Sequence, residues 1–147
     1  MGSGLQPDGK ARHVAATAGM RFGIDDLRQV RRMTAQWAER AGMLPEQADG
    51  FVIAVNEIAT NAVRYGSPAA RLLLRIAGED IAEAVVQDDG RWTAVSLAAP
   101  ADRERGGMGL PLARRACDAV EVRAGDDGTT VILRICLHAR RRAGGPQ

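Results

Sequence analysis

The chain has 147 residues, enough for one domain with a real core, and 46% of them are apolar, so it folds as a globule. Only 3% are aromatic, which leaves Leu, Val, Ile and Ala to fill the interior. A formal net charge of +2 is too close to neutral to argue for a nucleic-acid or membrane partner, and no apolar run is long enough to span a bilayer.

Met1 to Lys10 is Gly-rich and polar, and residues 1 to about 18 read as disordered. The amino terminus lacks the apolar stretch of a secretory signal, so a cytoplasmic location is expected. Asp25 or Asp26 caps a first helix running to about Ala41, with an apolar stripe of Leu27, Val30, Met33 or Thr34, and Trp37, and with Gly42 as its stop. Pro45 opens a second helix, because its missing N–H costs nothing at the first helical position. That helix runs to about Arg64, before the breaker Tyr65-Gly66-Ser67-Pro68. Arg71 to Ala77 and Ile81 to Gln87 are joined by Gly78-Glu79-Asp80 and read as a β-hairpin. An irregular segment follows from Gly90 to Gly106. A third helix runs from Gly109 to about Ala119, and strands at Val120 to Ala124 and Thr129 to Leu137 close the domain. The domain thus covers residues 19–138, followed by a basic, loose tail at 139–147 with Arg140, Arg141 and Arg142. Hairpins grouped beside helices predict an α/β sandwich of two layers, a sheet with helices on one face. Cys117 and Cys136 sit in apolar patterns and read as buried free thiols. With the distant His13 and His138 they do not make a zinc site.

Three stretches carry candidate chemistry. On the second helix, Phe51, Val55, Ile58 and Ala62 form one buried stripe, widened by Val52, Ala59 and Val63. Glu57 and Asn61 are one turn apart and project from the same side. Either both face water on an ordinary amphipathic helix, or they border a partly buried site. In the second reading the Asn61 amide oxygen ligates a hard cation such as Mg²⁺ and the Glu57 carboxylate orients or deprotonates a hydroxyl. Asp88-Asp89-Gly90 ends a strand. It is either a simple turn or a fixed carboxylate that accepts from an exocyclic amine such as adenine N6, with Gly90 letting the backbone pass close to a flat base. The glycines of Arg105-Gly106-Gly107-Met108-Gly109-Leu110-Pro111 precede a helix, so they are either a ligand-free loop or a phosphate cradle of backbone N–H groups. The run is neither a dinucleotide fingerprint nor a Walker A loop, and no Gly-x-Ser-x-Gly elbow is present.

Taken in order, these boxes resemble the GHKL (histidine-kinase-like) ATPase superfamily and, within it, the small bacterial anti-sigma-factor serine/threonine kinases. The first box is Glu57-Ile58-Ala59-Thr60-Asn61, the second Asp88-Asp89-Gly90, the third Gly107-Met108-Gly109-Leu110 and the last Gly128 to Val131; together the resemblance covers about residues 20 to 138. It implies a Bergerat-type sandwich with a mixed or antiparallel sheet, binding ATP with Mg²⁺. Asn61 would hold the metal, and Asp88 would accept the adenine amine with support from Thr129. Gly90 would border the base. Gly107, Met108, Gly109 and Leu110 would wrap the phosphates, residues 91–106 would form a lid, and Glu57 would be the general base. The expected partners are a sigma factor and an anti-anti-sigma (STAS-type) protein, and a homodimer is implied. The alternative is an ATP-binding module that sequesters its partner without turnover. Two positions depart from the pattern: Trp92 stands where relatives often carry a second glycine, and Tyr65 where they often carry histidine. A histidine-kinase fragment fits less well, because no helix pair carries a phospho-acceptor histidine.

Overall fold

The computed structural model of the chain describes residues 17–65, 69–90 and 109–137. In chain order these form β1 (Thr17–Phe22), a 3-10 turn (Ile24–Asp26), α1 (Leu27–Arg40), α2 (Pro45–Tyr65), β2 (Ala70–Ala77), β3 (Ile81–Asp88), α3 (Gly109–Ala116), β4 (Ala119–Gly125) and β5 (Gly128–Cys136). The strands make one sheet in the order β1-β2-β3-β5-β4, and every neighbouring pair is antiparallel. The expected two-layer α/β sandwich is therefore present, with an antiparallel rather than a mixed sheet.

Side-chain alternation along the strands decides which face the helices cover. Leu72 and Leu74 on β2, Ala82, Ala84 and Val86 on β3, and Val131, Leu133 and Ile135 on β5 are all buried. Against them lies α2, with Phe51, Ala54, Val55, Ile58, Ala59 and Ala62 fully buried, as the 3.6-residue stripe predicts. α1 and α3 both pack on α2. Trp37 of α1 meets Phe51 of α2 with ring centroids 6.2 Å apart, so the few aromatic rings cluster where two helices cross.

The end of α1 follows the glycine signal closely. Gly42 has φ +89°, and the Met43 and Gly42 N–H groups donate to the Ala38 and Glu39 carbonyls at 3.1 Å each. This is the paired hydrogen-bond pattern of a left-handed C-terminal cap, and it turns the chain towards Pro45. At the other end Asp26 is the N-cap residue of α1, but its side chain makes no cap bond to that helix, contrary to the sequence reading. Its carboxylate instead accepts from the Gly23 N–H at 2.9 Å and closes the preceding 3-10 turn.

Several boundaries and one burial differ from the sequence reading. Residues 17 and 18 are not disordered: they begin β1, a strand the sequence did not reveal. Thr17-Ala-Gly-Met-Arg-Phe22 contains one β-branched residue and a glycine, so its local preference for strand is weak. Tertiary pairing overrides that preference, as Ala18, Met20 and Phe22 turn inward and the strand registers along β2. The third helix stops at Ala116, because β4 already begins at Ala119. Strand β5 begins at Gly128 and ends at Cys136, one residue short of Leu137. Finally, Cys117 is buried but Cys136 is only half-buried, since it falls on the uncovered face of β5. Burial, together with the Asp118 charge, pushes the Cys117 thiol up to about 12. The expectations for residues 1–16, for the lid at 91–106 and Trp92, and for the basic tail at 139–147 lie outside the described residues. Among the described residues no helix is long and apolar enough to cross a membrane.

The uncovered face of the sheet is held by charge as well as by strand pairing. Glu83, whose side chain is 3% exposed, accepts from Arg75 at 2.6 Å and from Arg134 at 2.7 Å. Arg134 also reaches Glu121 at 3.2 Å, and Glu121 accepts from Arg123 at 2.6 Å. Burial pushes the Glu83 carboxyl up, but its bonds to the two guanidinium groups outweigh that and hold it below the usual carboxylate range.

Candidate functional site

The second and fourth boxes meet at the ends of β3 and β5. Asp88 and Thr129 are register partners across these strands, and both are buried on the face covered by the helices. The Asp88 Oδ1 accepts from the Gly90 N–H at 2.7 Å, which closes the Asp-x-Gly turn on its own side chain. The Thr129 hydroxyl donates to the Gly90 carbonyl at 3.1 Å and pins the same turn from β5.

Gly128 completes this arrangement, and the sequence reading gave it no role of its own. It has φ +124°, and a Cβ there would stand 2.2 Å from the Asp88 carbonyl oxygen and 3.0 Å from the Asp89 Cα. Any side chain would push the Asp88-Asp89 backbone away from β5. The signal was the glycine that opens the last box, but the contact it permits spans forty residues of sequence and is visible only in three dimensions.

The first box lies on α2. Asn61 is 5% exposed, so the reading of a fully solvated helix face does not hold for it. Glu57, one turn earlier, is half-buried. Burial raises the Glu57 carboxyl above its ordinary range, and the Arg64 charge opposes that rise. Arg64 lies two turns after Glu57 on the same side of the helix, a neighbour the sequence reading did not consider.

Two buried side-chain polar atoms lack a hydrogen-bond partner among the described residues, Trp37 Nε1 and Asn61 Oδ1. The indole is fully buried in the core, with its ring against Phe51 of α2. The amide oxygen lies in the box that the resemblance assigns to the metal. An unmet buried acceptor costs about 1–3 kcal/mol, so Asn61 is expensive unless something supplies a partner. A hard, neutral oxygen of this kind suits Mg²⁺. No group of three or more His, Cys, Asp or Glu is arranged to hold a metal among the described residues. The donor set therefore fits a cation held chiefly by phosphates and water with one protein oxygen, as Mg²⁺ often is, rather than a cation in a protein cage.

Of the third box, Gly109 and Leu110 are the first residues of α3, so the box does lead into a helix N-terminus; their side chains, and that of Tyr65, are not described. Gly107 and Met108 lie outside the described residues. α3 packs on α2, so the helix that opens with the glycines is a direct neighbour of the helix that carries Glu57 and Asn61. The described boxes thus occupy connected elements: β3 with β5, α2 over that sheet, and α3 beside α2.

Comparison with known proteins agrees with this layout. The chain is similar to the solved RsbU and RsbW domains of Rv1364c from Mycobacterium tuberculosis, with a TM-score of 0.61 at 22% identity over 82% of this chain and 32% of that one. It spans about a third of that longer protein. It is also similar to the SiaB-SiaC complex from Pseudomonas aeruginosa, with a TM-score of 0.58 at 12% identity, covering 86% of this chain and 94% of that one. A third likeness is to the histidine kinase domain of the blue-light activated kinase from Erythrobacter litoralis EL346, with a TM-score of 0.55 at 20% identity, over 93% and 74% of the two chains. These likenesses establish the fold. No curated protein matches the chain. The profile of the histidine kinase-like ATPase domain matches residues 20–135, which include every box, and the chain belongs to that family.

Proposed function

We propose that the chain binds Mg²⁺-ATP and transfers its terminal phosphoryl group to a serine or threonine of a small STAS-type anti-anti-sigma partner, acting as an anti-sigma-factor kinase. The observation that carries the proposal is the buried Asn61 Oδ1, without a hydrogen-bond partner among the described residues, one helical turn from the half-buried Glu57.

Asp88, fixed by the Gly90 N–H and backed by the Thr129-anchored turn, accepts a hydrogen bond from the adenine amine. Gly90 leaves room for the plane of the base. Gly107, Met108, Gly109 and Leu110 offer backbone N–H groups to the phosphates at the start of α3. Asn61 Oδ1 would hold the cation. Mg²⁺ held there would supply positive charge to offset the charge that develops on the transferring group. Glu57 accepts the proton of the attacking hydroxyl at a carboxylate oxygen. Its raised pKa makes it a stronger base than a solvated glutamate, which is the direction that task needs. The wider reading includes a sigma factor as the regulated partner, a homodimer and a cytoplasmic setting. It is tested by titrating the protein with ATP with and without Mg²⁺, then searching STAS-type partners for phosphoserine by mass spectrometry. Mg²⁺-dependent binding with partner phosphorylation supports the kinase. Binding of ATP and a sigma factor with no phosphorylated partner would instead establish the sequestering module.

A further inference from the structure

The uncovered sheet face carries a second feature that nucleotide binding does not use. Strand register lines its side chains into rows. One row runs Arg21, Arg71, Gln87, Thr130, Arg123 from edge to edge. The next contains Leu73, Val85 and Ile132, of which Leu73 and Val85 remain half-exposed. Arg75, Arg123 and Arg134 are all tied to Glu83 or Glu121. Arg21 and Arg71 differ. They are direct cross-strand partners, both exposed, and neither makes an ion pair among the described residues. Like charges placed opposite each other destabilise a sheet, so the fold gains nothing from this pair. A groove of about 230 Å³ lies beside them, walled also by Gln87, Asp88 and Asp89.

We infer that this corner of the sheet docks an acidic segment of a partner protein, which sets carboxylates on Arg21 and Arg71 and an apolar side chain over Leu73 and Val85. Guanidinium groups bind carboxylates bidentately, and two side by side select a segment with closely spaced acids. Charge decides among the possible occupants. Residues 1–16 carry Asp8 against Lys10 and Arg12, residues 91–108 carry three arginines against Asp102 and Glu104, and residues 138–147 carry Arg140, Arg141 and Arg142 with no acid. No undescribed segment of the chain is therefore acidic. A second copy would set arginine against arginine. A nucleic acid or an anionic headgroup layer brings a continuous run of phosphates and no apolar side chain to set on the half-exposed Leu73 and Val85. The groove ends on the turn that holds Asp88, so a segment held by Arg21, Arg71, Leu73 and Val85 lies beside the base side of the proposed nucleotide site.

The test is fluorescence anisotropy of a short labelled peptide of alternating Glu and Leu with the full chain, in parallel with its Lys-for-Glu counterpart. The Glu peptide is expected to bind and the Lys peptide not. The Arg21→Glu/Arg71→Glu double variant should weaken binding at least about tenfold, the loss expected when charge-assisted bonds are removed. Arg21→Gln/Arg71→Gln should weaken it in the same direction, which guards against a folding defect in the charge reversal. Arg32→Glu/Arg40→Glu, which changes the net charge equally on exposed helix positions, should stay within about twofold, and ATP affinity should hold in every variant. Equal losses in both charge-reversal variants, or no binding of the Glu peptide, overturns the inference. So does tighter, Arg21- and Arg71-dependent binding of an RNA oligonucleotide or anionic vesicles, or self-association that the double variant abolishes. Loss of ATP binding in an otherwise peptide-competent protein bears on the nucleotide reading alone.

Discussion

The two ends of the proposed nucleotide site are built differently. On the base side, Asp88, Gly90 and Thr129 hold one another through hydrogen bonds between side chains and backbone, and Gly128 lets β5 close against them. On the phosphate side, Asn61 is buried with its oxygen unmet among the described residues, and burial raises the Glu57 carboxyl while the Arg64 charge opposes that rise. A part that is complete without ligand is pre-organised and needs little reordering to bind. A part that holds an unmet acceptor is stabilised by whatever arrives. Affinity for the base should thus depend on the rigidity of the turn, and affinity for the metal-bound phosphates on one side-chain oxygen.

Substitutions can break this contrast in graded ways. The largest effect should fall on chemistry alone. Glu57→Ala is expected to lower phosphotransfer by about 10²–10⁴, the usual worth of a positioned general base, while ATP affinity stays within a few-fold. Single-turnover assays with the partner, set beside ATP titrations, check the split; transfer at the wild-type rate would remove Glu57 from that role. Next comes the base side. Asp88→Asn should weaken ATP binding by about 1.5–3 kcal/mol, because the amide loses the charge and can present the wrong edge. Adenosine should suffer equally, since the lost bond lies on the base; calorimetry with both ligands measures this.

Gly128→Ala should act through the same turn without touching ligand chemistry. A strained left-handed backbone or an overpacked contact costs about 1–3 kcal/mol, and here both apply at one residue. Thermal unfolding should show lower stability, and adenosine binding should weaken in step with ATP. The smallest effect is expected far from the site. Glu83→Gln removes the charge shared by Arg75 and Arg134 and should cost about 1 kcal/mol, less than a fully buried pair because Arg75 is 47% exposed. Its pH signature has a definite sign. The Glu83 carboxyl is held below its ordinary range in the fold, so the unfolded chain binds more protons as pH falls. The stabilisation is complete above the unfolded carboxylate range and is lost as pH drops through the lower folded value. Wild type and Glu83→Gln should converge in stability in acid and diverge towards neutral pH.

Much of the fold was legible because its signals are local. The α2 stripe from Phe51 to Ala62 repeats with the helical period, Gly42 marks a left-handed cap, and Gly78-Glu79-Asp80 marks a hairpin. The Asp88 turn was legible for the same reason, as Asp and Gly two apart can close on each other. What escaped depends on register between distant strands. β1 has little strand preference of its own and is defined by pairing with β2, about fifty residues later. The need for glycine at Gly128 arises from the Asp88 carbonyl across the sheet. The juxtaposition of Arg21 with Arg71 has the same origin. Burial of Asn61 sits between these extremes: its apolar neighbours hinted at it, but only the packed layers leave its oxygen without a partner.

The central claim is that Asn61 couples ATP binding to Mg²⁺. Calorimetric titration of ATP with and without Mg²⁺, in wild type and in Asn61→Ala, measures that coupling directly. Wild type should bind ATP more tightly with Mg²⁺ than without, and Asn61→Ala should lose that increment while binding adenosine as before. A folded Asn61→Ala protein that keeps the full Mg²⁺-dependent gain would contradict the account.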